Sequence, residues 1–186
     1  MNVYDFDKTI FYPDSSCAFF LYCLKRYPAA FLRTAPQIIA YSALYAVKAI
    51  GTRELKQRLF AFLPYLPDPH QIVEDFWKEN FSGIGEWYLA QKKDDDLIIS
   101  ASPEFLVGAA AKQLGVALLG TRMDIRTGKI SGEYCHDTEK VNRFYAAFPE
   151  GKIEEFYSDS LSDAPLAGIA QRAFLVRKGT ITTWPR

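Results

Sequence analysis

The 186-residue sequence predicts an α/β fold: a doubly wound parallel sheet with an all-helical segment inserted after the first strand. Two observations support this prediction. After residue 96, short apolar runs typical of buried parallel strands alternate with helical patterns. Residues 14 to 88 carry only helical patterns. We therefore expect a core made of residues 1–13 and 89–186, with a helical insert made of residues 14–88.

The insert should contain five helices separated by proline and glycine. Pro28 and Pro36 interrupt the first half, and Pro36 should bend its helix. A loop over 64–69 and two glycines near residue 84 interrupt the second half. The predicted helices are 14–27 with Asp14 or Ser15 as N-cap, 28–50, 54–63 capped by Thr52, one starting at Asp68 or Pro69, and 87–92.

The core should alternate strands and helices. Its predicted strands are 3–6, 97–99, 116–119, 153–157, 173–176 and 180–184, and its predicted helices are 104–114, 137–148 and 163–171. A hairpin turn is expected at 126–129. In doubly wound sheets, ligands bind beyond the carboxyl ends of the strands. Asp5, Ser100 and Asp159 all fall at such ends.

The string Asp5-Phe6-Asp7-Lys8-Thr9 is the strongest functional signal. Two carboxylates one residue apart can act as a nucleophile and a proton shuttle. Alone the string is weak, because Asp and Thr are common in turns. The later residues give it weight: a hydroxyl, a cation and a second acidic pair follow in order at Ser100, Lys140, Asp159 and Asp163.

This order resembles the haloacid dehalogenase-like phosphohydrolases, whose core is Rossmann-like, over almost the whole chain. The insert resembles the helical cap of the phosphoserine-phosphatase-like branch. Within that branch, four stretches are most similar to bacterial phosphatidylglycerophosphate phosphatases. They are 14–27, the apolar cap segment, Glu139-Lys140-Val141, and Tyr157 to Ser160 with Asp163.

The resemblance implies a phosphomonoester hydrolase with named catalytic residues. Asp5 would attack phosphorus and form an aspartyl-phosphate. Asp7 would protonate the leaving alkoxide and then activate water, while Thr9 orients a carboxylate or the loop. Ser100 would donate its hydroxyl to a phosphoryl oxygen, helped by the amides that follow at Ala101. Lys140 would neutralise the developing charge.

The resemblance also implies a Mg²⁺ site built from carboxylates. Its ligands would come from Asp5, Asp159, Asp163 and the carbonyl of Asp7. Asp163 could instead orient water or the lysine, or serve as the N-cap of the helix that follows. Ser102 is interpreted as an N-cap, with Pro103 at the first helical position.

The substrate is less well defined. Phosphoserine phosphatases carry a glycine pair where this chain has Ala101 and Ser102, and a Glu where it has Asp14. Lys8 replaces their small residue in the first motif. These differences count against phosphoserine. Asp14 would either bind a polar group of the substrate or cap its helix.

Composition excludes several functions. The formal net charge is zero, so a broad basic surface for nucleic acid is not expected. Three cysteines without a C-x-x-C favour a reducing compartment, which we expect to be the cytoplasm. Cys17 and Cys23 should pack as small apolar residues. His70 and His136 should lie on the polar surface, since they lack the spacing of zinc ligands.

One cap helix could contact a membrane. The segment 34–47 is apolar nearly all round but too short to span a bilayer, and we expect no signal peptide before the first motif. Such a helix is normally buried, as a cap core or a homodimer contact. Alternatively it lies at a membrane surface and brings the site to a lipid phosphate. The basic residues that could then face headgroups are Lys25, Arg26, Arg33, Lys48, Arg53, Lys56 and Arg58.

We therefore expect a phosphatase acting on a small soluble phosphomonoester. The first alternative is a lipid-phosphate phosphatase peripheral to the membrane. The second is a non-catalytic phosphate-binding protein on the same fold, which no residue at the motif positions favours.

Overall fold

The computed structural model describes residues 1–185, which contain one sheet of six strands. The strands are β1 (Val3–Tyr4), β2 (Leu97–Pro103), β3 (Ala117–Thr121), β4 (Ile153–Ser158), β5 (Ala170–Arg177) and β6 (Thr180–Thr183). Their order is β3-β2-β1-β4-β5-β6. Neighbouring strands from β3 to β5 are parallel, and β6 pairs antiparallel with β5.

The position of β1 confirms the doubly wound fold. The chain leaves β1, forms β2 and β3 on one side, and returns to β4 on the other side. Val3 pairs with Leu97 of β2 and with Phe156 of β4. The strand order thus reverses at β1, and ligands of such sheets bind at that reversal, beyond the carboxyl ends of the strands. Asp5 is the first residue after β1.

Of the α-helices described for residues 1–185, five lie in the insert, three lie in the core and one crosses the boundary expected at residue 88. The insert contains α1 (Ser15–Arg26), α2 (Pro28–Leu32), α3 (Ala35–Ala46), α4 (Thr52–Leu59) and α5 (Pro69–Asn80), and α6 (Glu86–Gln91) crosses the boundary. The core contains α7 (Glu104–Leu114), α8 (Thr138–Ala147) and α9 (Ala164–Ile169).

Three predicted features of the insert are wrong. The single helix expected over 28–50 is two helices, α2 and α3. Pro36 lies in the first turn of α3, where its missing N–H costs nothing, so it begins the helix rather than bending it. Thr52 is the first residue of α4, and Gly51 takes the N-cap position. The predicted caps Asp14 and Asp68 do cap their helices, because each carboxylate accepts a backbone N–H of the first turn.

The predicted N-cap of α7 is also wrong. Strand β2 extends through Ser102 to Pro103, so Pro103 occupies the N-cap position and Ser102 belongs to the strand. The predicted helix 163–171 is shorter than expected as well. It reduces to α9, because β5 already begins at Ala170.

The insert and the sheet share one hydrophobic cluster. Phe19, Phe76 and Trp77 of the insert belong to the same cluster as Phe6 and Leu106 of the core. The Trp77 indole N–H donates to the Leu106 carbonyl at 2.7 Å, which ties α5 to α7. A second cluster, containing Phe144 and Phe156, covers the opposite face of the sheet. Cys23 is buried as expected, but Cys17 is exposed.

Helix α3 lies largely in solvent, contrary to the expectation that it is buried. Among its residues only Ile38 is buried, whereas Ile39 is 69% exposed and the following Val47 is 73% exposed. Its contact with α4 is partly polar, since the Arg58 guanidinium donates to the Tyr41 hydroxyl at 3.2 Å. No helix within residues 1–185 has both the length and the apolar character needed to cross a membrane.

Candidate active site

A polar cleft of about 240 Å³ opens at the carboxyl ends of β1 and β4. Every carboxylate of the sequence motifs lines it, together with one lysine from each of the first motif, the cap and α8. The lining residues are Asp5, Asp7, Lys8, Asp14, Thr52, Lys56, Ala101, Tyr134, His136, Lys140, Asp159, Ser160, Ser162 and Asp163. The sheet therefore brings together residues that lie up to 158 positions apart in the chain.

Lys140 joins two carboxylates at the base of the cleft. Its ammonium is 2.7 Å from Asp5 Oδ1 and 2.8 Å from Asp163 Oδ2, and its side chain is only 2% exposed. Burial raises the pKa of Asp5 to about 7, against the opposing effect of Lys140. Burial alone would lower the pKa of Lys140, but Asp5 and Asp163 outweigh it and raise that pKa, so the lysine stays charged.

Asp163 supports the lysine. It occupies the N-cap position of α9 but makes no capping hydrogen bond. Its Oδ2 instead accepts from Lys140 and, at 2.7 Å, from the Ser158 hydroxyl. The interpretation of Asp163 as a helix cap is therefore wrong, and its contacts match the alternative in which it orients the lysine.

Asp7 is held at both carboxylate oxygens. Oδ1 accepts the Ser15 N–H at 2.6 Å, at the start of α1. Oδ2 accepts the Ser102 hydroxyl. The two donors come from the cap and from the end of β2, so Asp7 lies where the insert meets the sheet.

Thr9 connects the first and last motifs. Its hydroxyl is positioned to donate to Asp5 Oδ2 at 3.3 Å, and it accepts the Asp159 N–H at 2.9 Å. The side chain is fully buried. Thr9 thus orients both the carboxylate of Asp5 and the backbone of the loop that carries Asp159.

Ala101 lines the cleft, whereas Ser100 lies beneath it in the middle of β2, so the prediction that Ser100 falls at a strand end is wrong. Ser100 is fully buried, and its hydroxyl oxygen accepts the Ser102 N–H at 3.1 Å. Ala101 lines the cleft, and its carbonyl accepts the Thr121 hydroxyl at 2.8 Å. These contacts hold the irregular part of β2, where the pairing register with β3 shifts between Ile99 and Pro103.

The Asp14 side chain both caps a helix and faces the cleft. Its Oδ1 accepts the Cys17 N–H at 2.9 Å, as an N-cap of α1 does, and its side chain also lines the cleft. Both alternatives predicted for Asp14 are therefore geometrically open.

Several lining residues were not predicted as site residues. Lys56 extends from α4 to within 3.5 Å of the Ser102 hydroxyl, whereas its sequence context predicts only a contact with lipid headgroups. Burial would lower its pKa, but Tyr134, Asp7 and Asp14 raise it. His136 lies on the surface as predicted, yet at the rim of this cleft. No local pattern links α4 to β2, so the sequence offered no signal for the Lys56 contact.

The charge of the cleft fits a bound cation. Five carboxyl groups and three lysine ammonium groups line it, so the fully ionised cleft would carry an excess of two negative charges. Burial raises the pKa of Asp159, Lys8 opposes this effect, and Asp163 and Asp7 add to it. Within residues 1–185, no three His, Cys, Asp or Glu side chains converge into a complete metal site. This donor set suits Mg²⁺, which binds one or two carboxylates and takes its remaining oxygens from water and phosphate.

Comparison with known proteins identifies the family. The profile of the haloacid dehalogenase-like hydrolases matches residues 3–168, which includes every motif residue described above. The chain belongs to this family. Protein CicA of Caulobacter vibrioides is 29% identical over 95% of this chain and 86% of its own length. A probable phosphatase of Mycobacterium tuberculosis is 32% identical over 49% of this chain, and the match spans only 37% of that relative.

Solved structures of this hydrolase fold superpose on nearly the whole chain. A protein of unknown function from Bordetella pertussis has a TM-score of 0.73 at 22% identity, over 93% of this chain and 87% of its own. A phosphoserine phosphohydrolase-like protein from Francisella tularensis has a TM-score of 0.59 at 17% identity, over 93% and 86%. At such identities the likeness concerns the fold. The narrower resemblance to phosphatidylglycerophosphate phosphatases stays a prediction.

Proposed function

We propose that this hydrolase is a Mg²⁺-dependent phosphatase that cleaves a small soluble phosphomonoester through an aspartyl-phosphate on Asp5. The observation that carries the proposal is the buried contact of Lys140 with both Asp5 and Asp163, beside Asp7. A buried ion cluster of this kind is a weak source of stability. At the base of a polar cleft such a cluster is better suited to catalysis, because it holds a carboxylate and a cation where a phosphate would lie.

Each residue has a stated role in this proposal. Asp5 attacks phosphorus, and Lys140 together with the Ser100 hydroxyl and the amide that follows at Ala101 stabilises the phosphoryl oxygens. Asp7 transfers the proton to the leaving oxygen. Thr9 orients Asp5.

Mg²⁺ would be held by Asp5, Asp159 and the Asp7 carbonyl, with Asp163 orienting Lys140 beside them. When bound, the metal supplies positive charge that offsets the phosphate and the excess of carboxylates. We further propose that residues 14–88 act as the cap over a core of 1–13 and 89–186. The cleft volume of about 240 Å³ favours a small substrate. The free cysteines agree with a cytoplasmic location.

The test is phosphate release from a panel of phosphomonoesters, with and without Mg²⁺. The panel contains phosphoserine, glycerol phosphates, sugar phosphates, nucleotides and detergent-dispersed lipid phosphates. We expect Mg²⁺-dependent release that Asp5→Asn abolishes. Asp124→Asn, on the surface hairpin, is the matched control and should keep full activity, because Asp124 bonds only to neighbours in its own turn.

A second variant tests the metal. Asp159→Asn should raise the Mg²⁺ concentration that gives half-maximal activity by about tenfold or more, since it removes a carboxylate ligand. Release that is equal with and without Mg²⁺, or that survives in Asp5→Asn, would overturn the proposal. Absence of release by folded protein across the panel would favour the phosphate-binding alternative.

The exposed face of α3 favours a second candidate, a lipid phosphate presented at a membrane surface. Ile39, Leu44 and Val47 are 69%, 41% and 73% exposed, and Arg33 and Lys48 flank the helix. An apolar face with flanking cations suits anionic lipid. Co-sedimentation with phosphatidylglycerol vesicles tests this, with Ile39→Ser as the variant and Leu161→Ser, at an exposed apolar position outside α3, as its control.

Three results are informative. Binding that Ile39→Ser weakens and Leu161→Ser leaves intact supports the lipid candidate. Absence of binding to anionic vesicles removes it. A dimer in gel filtration that Ile39→Ser dissociates would instead make α3 a contact between two copies of the chain.

A further inference from the structure

The hydroxyl of Ser102 is the centre of a buried polar network at the junction of cap and sheet. Ser102 is fully buried. Its oxygen contacts Asp7 Oδ2 and lies 2.9 Å from the Ser16 hydroxyl and 3.5 Å from the Lys56 ammonium. Ser16 lies on α1 and Lys56 on α4. Two separate cap helices therefore meet one side chain at the end of β2.

The direction of these hydrogen bonds follows from the number of protons. An ionised carboxylate can only accept and an ammonium can only donate, while a hydroxyl has one proton to give. When Asp7 is a carboxylate, Ser102 must therefore donate to Asp7 and accept from Lys56, and when Asp7 is protonated the same direction holds if the proton occupies a site that Ser102 does not use. The proton between the two serines must then come from Ser16. Lys56 and Ser16 thus both donate to Ser102, and Ser102 donates to Asp7.

This arrangement fixes the orientation of the Asp7 carboxylate without occupying all of its hydrogen-bond acceptor sites. Oδ2 accepts from Ser102, and Oδ1 accepts from the Ser15 N–H at 2.6 Å. Each carboxylate oxygen has two acceptor sites, so a site on each oxygen remains for a proton in transfer. Proton transfer depends steeply on such placement, because a shift of about 1 Å can cost a hundredfold in rate.

We propose that Ser102 is the positioning residue for Asp7 in proton transfer, and that Ser16 and Lys56 hold Ser102 so that the cap sets the orientation of Asp7. The inference rests on the proposed function, in which Asp7 is the acid. It goes beyond that function by assigning Ser102, Ser16 and Lys56 a part in the reaction.

The step that Ser102 serves is the departure of the alcohol. As an Asp5 oxygen bonds to phosphorus, the ester P–O bond breaks and its electron pair stays on the leaving oxygen. The proton of the Asp7 carboxyl moves to that oxygen, and Asp7 becomes a carboxylate that accepts from Ser102 and Ser15. In the second step Asp7 takes a proton from the water that attacks the aspartyl-phosphate. This releases inorganic phosphate and restores both aspartates.

Leaving-group dependence separates positioning from a merely structural role. An alkyl phosphate needs a proton on its departing oxygen, whereas p-nitrophenyl phosphate releases p-nitrophenolate, which is a stable anion. We expect Ser102→Ala to lower kcat/KM for glycerol phosphate, which reports the steps up to release of the alcohol, by about 10- to 100-fold. This is at or below the range of about 10²- to 10⁴-fold attributed to a general acid itself, because Asp7 is still present. The loss of kcat/KM with p-nitrophenyl phosphate should be about threefold or less, because departure of p-nitrophenolate does not need the acid and the later attack of water does not enter kcat/KM.

Asp7→Asn and Ser16→Ala calibrate the effect. Asp7→Asn should show the same selectivity with a larger loss. Ser16→Ala removes a hydroxyl that contacts Ser102 but not Asp7, so its loss should be smaller and equally selective for the alkyl substrate. Thermal unfolding is measured for every variant. Ser102→Thr keeps the hydroxyl and should retain a near-normal ratio of the two rates. It carries the test if Ser102→Ala does not fold.

The outcomes separate this inference from the proposed function. If Asp5→Asn abolishes release but Ser102→Ala affects both substrates equally, or neither, the positioning role is overturned while the phosphatase survives. A folded Ser102→Thr with the rate ratio of Asp7→Asn overturns it too. If Asp7→Asn shows no selectivity, Asp7 is not the acid and the role of Ser102 falls with it. Release that survives in Asp5→Asn means that the proposed function itself is wrong.

Discussion

At the scale of single residues, Lys8 holds a conformation that glycine adopts more easily. Its φ is 59°, in the left-handed region, which costs a residue with a Cβ about 1–2 kcal/mol. Strain of this kind is often kept at functional sites. Its side chain lines the cleft and opposes the rise in the pKa of Asp159. The positive charge that the Lys8 ammonium places beside Asp159 therefore explains why a lysine, rather than a glycine, occupies this strained position.

We expect Lys8→Gly to leave the free energy of unfolding unchanged or to raise it by about 1 kcal/mol, since glycine relieves the strain but is freer when unfolded. Phosphatase activity should fall, because the charge beside Asp159 is lost. Urea denaturation and phosphate release measure the two effects. Lys178→Gly, with φ 50° in the turn between β5 and β6, is the matched control and should change stability only. Unchanged activity in Lys8→Gly would show that the cation has no role.

A second residue-scale prediction concerns Asp96, which precedes β2 far from the cleft. Asp96 is 1% exposed and its Oδ1 has no protein partner. Burial raises its pKa, so folding favours the protonated form. This contribution to stability is complete below the ordinary aspartate pKa near 4 and is lost as pH rises through the raised value. Asp96→Asn should therefore be more stable than the parent at pH 7. Its free energy of unfolding should also fall less between pH 4 and pH 7, as measured by unfolding at pH 4, 5.5 and 7. A parent and variant with parallel pH profiles would contradict it.

At the scale of elements, the start of α1 poses a choice between two roles for Asp14. Asn is as good an N-cap as Asp, whereas Ala is worse by about 1 kcal/mol. If Asp14 acts mainly as the cap, Asp14→Asn should keep both stability and kcat/KM, and Asp14→Ala should lose about 1 kcal/mol. Asp68→Ala, at the cap of α5, is the control and should lose a similar amount without any change in KM. A raised KM in a fully stable Asp14→Asn would instead place its charge on the substrate.

The elements also show where the sequence was informative. Helix caps with a side-chain signature, such as Asp14 and Asp68, were predicted correctly because their hydrogen bonds are local. Ser102 was interpreted wrongly as a cap because Ser-Pro-Glu is typical of a helix start, while the strand pairing that extends β2 to Pro103 involves β3. Strand pairing between segments that are distant in the chain cannot be recognised from a local sequence pattern.

At the scale of the molecule, the order of motifs predicted more than any single element. Asp5, Lys140 and Asp163 converge because β1 and β4 end, and α8 and α9 begin, at one edge of the sheet, and such convergence is a property of doubly wound folds. The exposure of α3 could not be predicted in this way. Its apolar pattern indicates that the surface of α3 is covered, but the sequence of one chain does not show whether its own core or another molecule covers it.

The shared hydrophobic cluster leads to a prediction about the whole chain. Phe76 of the insert is fully buried, and its ring lies 5.4 Å from Phe19 and 5.0 Å from Trp77, whose indole is bonded to α7. Cap and core should therefore unfold together, in one transition seen alike by tryptophan fluorescence and by circular dichroism. Phe76→Ala should lower the stability of that single transition by about 3–5 kcal/mol, the usual cost of deleting a buried ring.

An independently folded cap would behave differently. Phe76→Ala would then split the melting curve, with an early step for the helices of the insert and an unchanged later step for the sheet. Phe148→Ala provides the comparison from the opposite face of the sheet, where Phe148 packs against the second cluster. If both variants shift one common transition, the cap is part of a single cooperative unit. The contacts of Ser16 and Lys56 with Ser102 are then held by the fold itself, so that Asp7 is already oriented before the substrate binds.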